Sequence, residues 1–145
     1  MCWASNKIAI KKIAEKDFYV YKIGRVLWNG IFVSYVQNFN YIPKSRNRAF
    51  PLIVQTIYRD VYVIQAGYHS YKWVAIDNTD PRESYLYLGN YNSALKENTA
   101  LYEHCCIATF IIPKGAEYFE NEFGHIVSSD IIYTGKYLRI SNFNK

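Results

Sequence analysis

The sequence has 145 residues, 18% of them aromatic with fifteen tyrosines, and a formal net charge of +5. That length suits one domain spanning residues 1–145, which buries roughly 70% of its unfolded surface and requires neither a disulfide nor a metal to fold. No apolar run reaches membrane-spanning length, Lys7, Lys11, Lys12 and Lys16 interrupt the only candidate secretory segment, and three cysteines make no disulfide framework. The expectation is therefore a cytoplasmic protein without a membrane partner.

Charge is uneven along the chain. Residues 1–59 hold ten Lys and Arg against Glu15 and Asp17, whereas the remainder is net acidic. A basic section can face a phosphate-bearing partner, although mixed charge also simply keeps a small domain dispersed. Tyrosine favours strands and offers a flat ring with a polar tip, as strand positions and ligand sites both require.

Taken in order, Ile8–Lys16 reads as either a short helix or an edge strand. Phe18–Leu27 and Ile31–Tyr41 flank Trp28-Asn29-Gly30, and Asn-Gly predicts a hairpin whose type I′ turn has positive φ at both central residues. Pro43 to Arg48 reads as a polar loop carrying Lys44, Arg46 and Arg48. Pro51–Tyr58, Val61–Gln65 and Lys72–Ile76 read as strands, with Gly67-Tyr68-His69-Ser70-Tyr71 at a strand boundary. Tyr85–Leu88 is a further short strand, and Ser93–His104 is the one expected helix, capped by Ser93.

Cys105 to Gly135 reads as a three-strand meander broken at Pro113-Lys114-Gly115 and at Asn121 to Gly124, with the tail extending its last strand. The expected architecture is β-rich, all-β or α+β: a single antiparallel curled sheet or small barrel with one short helix near 93–104.

Several groups carry chemistry. Cys2 would pair a thiol with an α-amine after loss of Met1, but no oxyanion-hole motif accompanies it. His104-Cys105-Cys106 lacks metal-ligand spacing, since neighbours in a strand face opposite ways, so no metal and no cofactor is expected. Glu120 and Glu122 read as solvated turn carboxylates. His69 and Tyr71 share one strand face, with Tyr68 and Ser70 on the other. Arg46 and Arg48 offer guanidinium forks for phosphate beside aromatic residues. No helix-turn-helix, Gly-rich phosphate loop or RNA-binding aromatic signature is present, so sequence-specific nucleic-acid binding is not expected.

Met1-Cys2-Trp3, the Gly67–Tyr71 segment and the phrase Ile112-Pro113-Lys114-Gly115-Ala116-Glu117-Tyr118-Phe119-Glu120-Asn121-Glu122-Phe123-Gly124-His125-Ile126-Val127-Ser128 together resemble a group of short uncharacterised proteins encoded by gut Bacteroidales and their phages. The resemblance implies a phage protein acting in the bacterial host cytoplasm, a setting in which short proteins often blunt host defence. It carries over no residue roles.

The expected function is non-enzymatic binding of a nucleotide-like anionic signal molecule, a sponge serving immune evasion. The expected ligand-binding residues are His69, Tyr71, Tyr68, Arg46 and Arg48, meeting in one pocket or in a cleft between copies of a homo-oligomer. Two alternatives stand beside it: a small hydrolase or transferase using Cys2 or His69 on such a molecule, and a protein-interaction inhibitor presenting a β-edge or aromatic patch.

Overall fold

In a computed structural model of the chain, the residues described are 3–5, 9–34, 39–48, 52, 55–57, 61–64, 67–72, 106–122 and 124–139. Among them the fold is all-β, without a helix, and none of them forms a helix long and apolar enough to cross a membrane. The strands are β1 (Trp3–Ser5), β2 (Lys12–Ile13), β3 (Phe18–Val26), β4 (Phe32–Ser34), β5 (Asn40–Tyr41), β6 (Arg46–Arg48), β7 (Gln55–Ile57), β8 (Val61–Ile64), β9 (Tyr68–Tyr71), β10 (Cys106–Ile112), β11 (Glu117–Glu120), β12 (His125–Ser128) and β13 (Asp130–Arg139).

A ten-stranded antiparallel sheet runs β2-β11-β12-β9-β3-β10-β13-β6, with β4 added to β3 and β5 to β4; a second sheet runs β1-β8-β7. The large sheet is curled and its end strands are not joined, so it is not a closed barrel. Its spine is β3 against β10, in unbroken register from Phe18 opposite Ile112 to Gly24 opposite Cys106.

Apolar residues at every second position of these strands fill one concave core. Val20, Phe32, Tyr41, Phe110, Ile112, Ile126, Ile131 and Tyr133 are all buried in it. Burying each such side chain contributes about 1.5–3 kcal/mol. On the sheet's other face Phe119 and Val127 pack with Leu52 and Ile64, which joins the small sheet to the large one.

One bend redirects the chain within the sheet. Ser129 alone separates β12 from β13, so a near-continuous strand leaves one part of the sheet and enters another. Its first half pairs β11 and β9; its second pairs β10 and β6. The bend is held by Ser129, whose amide donates to the Glu117 carbonyl at 2.9 Å and whose Oγ accepts from the Glu117 amide at 3.1 Å.

Several expectations change here. The last third is no meander: β10 pairs β3 and β13, never β11. The turn after Pro113 carries the chain to the β2 edge, where the Ala14 amide donates to the Ala116 carbonyl at 2.9 Å, the Ala14 carbonyl accepts from the Gly115 amide at 2.8 Å and Asp17 Oδ1 accepts from the Lys114 amide at 2.7 Å. The hairpin between β3 and β4 is present. Its turn is not type I′, because Gly30 has φ of 86° while Asn29 is not in the positive region. Leu27 to Gly30 closes the turn, and Asn29 Oδ1 accepts from the Ile31 amide at 3.2 Å, so the Asn side chain serves the loop without a left-handed backbone.

Pro43 to Arg48 is not wholly loop: a turn at Pro43 and Lys44 leads into edge strand β6. The Tyr68–Tyr71 segment is itself a strand. Ile8–Lys16 resolves to an edge strand at Lys12 and Ile13. The helix expected near 93–104 lies outside the described residues, as do Cys2, Cys105 and most of Lys72–Ile76.

Candidate functional site

Of the residues expected to bind ligand, His69 and Tyr71 share one face of β9 and Tyr68 the other, while Arg46 and Arg48 lie on β6. Opposite Tyr71 stands His125 and opposite His69 stands Val127, so pleating puts these four side chains on one face. His69 Nδ1 lies 3.0 Å from His125 Nε2, one nitrogen donating and the other accepting. The Tyr71 ring stacks on His125 with centroids 4.8 Å apart and planes 12° from parallel. Burial, then the nearby charges of His69 and Lys22, push the His125 pKa down to about 3. His125 is therefore held as neutral imidazole at neutral pH, its ring joined to His69 by that one hydrogen bond.

Tyr68 points the other way, into the concave core, against Phe39 and Tyr41. It pairs with Ser128, two residues before Asp130, which pairs with Arg48. The Ser129 bend thus gathers Tyr68, Arg46 and Arg48 at one corner. Asp130 Oδ2 accepts from Arg46 Nε at 2.7 Å and lies 3.1 Å from Arg48 Nε. Burial alone would raise the Asp130 pKa, but the Ser129 hydroxyl and the two guanidinium groups outweigh it and hold the carboxyl below its ordinary range. Burial and the Asp130 charge raise the Tyr68 phenol. Both arginine forks are engaged by this carboxylate.

A third place is better shaped for a ligand. A groove of about 550 Å³ opens between β2, the start of β3, the end of β9 and β11, lined by Lys12, Ile13, Ala14, Glu15, Lys16, Phe18, Lys72, Tyr118 and Glu120. Its volume falls within the usual range for small-molecule sites. Phe18 and Tyr118 form an aromatic wall, with centroids 5.1 Å apart and planes tilted by 58°. Glu120 lies between two lysines, 3.9 Å from Lys12 Nζ and 3.5 Å from Lys72 Nζ. Lys16 makes no ion pair among the described residues. Burial first, then Glu120 and Glu15, raise the Tyr118 phenol, which places both carboxylates electrically beside the ring.

The groove combines a ring surface, three ammonium groups and two carboxylates. It contains none of the five residues expected from the sequence. Its parts come from three distant segments, brought together by the pairing of β11 with β2 on one side and, through β12, with β9 on the other. Alternation along Glu117–Glu120 was the available signal, since it puts Tyr118 and Glu120 on the same face. Comparisons with protein-family models, curated proteins and solved structures return no match for this chain.

Proposed function

We propose that the protein binds a nucleotide-like anionic small molecule in the groove beside Phe18 and Tyr118 and releases it unchanged. One observation carries this reading: an aromatic wall, three lysines and two carboxylates line a single concavity of about 550 Å³. A phosphate suits the ammonium groups of Lys12, Lys16 and Lys72. A nucleobase suits the aromatic faces, where stacking contributes about 1–3 kcal/mol per base. Its ring N–H and amino groups suit Glu15 and Glu120, which a plain inorganic anion would not. Sequestration of a signal molecule by a phage protein against host defence is the use we propose for such binding, following the resemblance in the sequence.

The test is retention. The protein is incubated with a panel of cyclic and linear mono- and dinucleotides and separated from free ligand. It is then heat-denatured, and the released material is chromatographed. At least one nucleotide retained and recovered intact supports the reading. Recovery of an altered nucleotide replaces it with an enzyme, and no retention across the panel overturns it.

A further inference from the structure

The concave core holds a lysine with no counter-charge. Lys22 is the central residue of β3 and only 6% exposed. Its Nζ lies 5.3 Å from the Tyr41 ring centre and 5.9 Å from that of Phe110. Among the described residues it makes no ion pair and no hydrogen bond. Buried lysines are rare without a counter-charge, because an ammonium loses its hydration, and the two ring faces return only part of it.

The same core holds two more unsatisfied polar groups, one of them on the neighbouring strand. Tyr21 stands opposite Tyr71, and the next step of that antiparallel register puts Ser70 beside Lys22. Ser70 Oγ and Tyr133 Oη, both buried, find no hydrogen-bond partner among the described residues. The titratable groups sharing this face are Tyr41 from β5, Tyr68 from β9, Cys106 from β10, Tyr118 from β11 and Tyr133 from β13, none of them a carboxylic acid. From β12, His125 feels the Lys22 charge and is itself held neutral. Burial accordingly lowers the Lys22 pKa to about 7. Desolvation in an apolar pocket is how a lysine becomes a nucleophile, and here it acts without any carboxylate to hold the proton.

We propose that Lys22 is a reactive amine that condenses with a small aldehyde to form an imine within the concave core. The Nζ lone pair bonds to the carbonyl carbon as the carbonyl π pair moves to oxygen. Nitrogen gives up a proton and oxygen gains one. The carbinolamine hydroxyl then takes up a proton and leaves as water while the nitrogen lone pair forms the second C–N bond, and the nitrogen gives up its remaining proton to leave the imine. One water leaves and nothing is oxidised or reduced. This chemistry is separate from groove binding and does not depend on it.

The test uses the whole protein with acetaldehyde and cyanoborohydride, the hydride trapping any imine as an ethylamine, followed by peptide mapping. At pH 7 about half of an amine with the Lys22 pKa is neutral, against about one in 3,000 for an ordinary lysine. Ethylation of Lys22 is expected at least tenfold faster than at the exposed Lys11, Lys12, Lys44, Lys72 and Lys114, with a rate that falls below pH 7. Exposed lysines labelled while Lys22 is unmodified, or Lys22 labelled no faster than they are, overturns the proposal. Lys22→Met should abolish the fast phase, and a fast phase that persists there also overturns it.

Discussion

His69 Nδ1 and His125 Nε2 lie 3.0 Å apart, across the β9–β12 ladder. Such a contact survives only while at least one ring is neutral. Burial holds the folded His125 pKa near 3, below the ordinary 6.5, so the unfolded chain binds the extra proton between those values. Stability therefore rises with pH through that window and is lost as pH falls from about 6.5 toward 3. The melting temperature should drop across that range, and His125→Gln should flatten the drop. A variant with the unaltered acid slope would place the acid sensitivity elsewhere.

Lys22 gives the same sign in a different window. Its folded pKa of about 7 lies below the ordinary 10.5, so the unfolded state again binds more protons, now between pH 7 and 10.5. The cost of burying the ammonium is full below pH 7 and fades as pH rises. Thermal stability should increase from pH 7 to 9.5, beyond any change from surface charge. Lys22→Met should be more stable than the parent at pH 6 and should lose the increase. Equal slopes in the two proteins would contradict the buried, unpaired amine.

Asp130 holds the corner where the strand bends at Ser129. Its carboxylate is mostly buried, whereas the Arg46 and Arg48 side chains are 41% and 69% exposed, so solvent screens the ion pairs themselves. Asp130→Ala leaves two guanidinium groups together without an acceptor and should cost about 1–3 kcal/mol. Arg48→Ala should cost well under 1 kcal/mol. Denaturant titration of both variants measures the difference, and equal costs would show that the carboxylate does not organise the corner.

Gly24 marks a close approach of strands. A Cβ there would lie 2.1 Å from the Val33 carbonyl oxygen and 2.6 Å from the Phe32 ring. Neither the backbone nor an enclosed aromatic ring can yield cheaply, so Gly24→Ala should cost about 1–3 kcal/mol or more. Gly30→Ala leaves no clash but forces alanine to a φ of 86°, so it should cost less, about 1 kcal/mol. Paired chemical denaturation curves check the order.

The β character of the chain was legible because it is local. Alternation in Phe18–Val26, the apolar run at Cys106–Ile112 and the Asn29-Gly30 turn each show within a few residues. Partner choice was not legible. The Ser129 bend sends the two halves of one strand to different neighbours, and nothing in Ser128-Ser129-Asp130 announces that. For the same reason His69 could be placed on one face with Tyr71, but its partner His125 lies 56 residues away. The arginines of β6 read as free phosphate ligands because Asp130, 84 residues from Arg46, gave no sequence sign of meeting them. The Phe18–Tyr118 wall was hidden likewise, its rings coming from strands that never pair with each other.

The most direct test of the account is calorimetric titration of the nucleotide best retained from the panel into the parent protein and into Lys12→Glu/Lys16→Glu. Both lysines are on the groove rim and exposed, so the fold should survive the change. Reversing two of the three ammonium groups beside the aromatic wall should weaken binding at least tenfold, about 1.4 kcal/mol, and reduce its dependence on salt. A second variant, Arg46→Ala/Arg48→Ala, should bind like the parent. Unchanged affinity in the lysine variant, with loss in the arginine variant, would contradict the groove as the binding site.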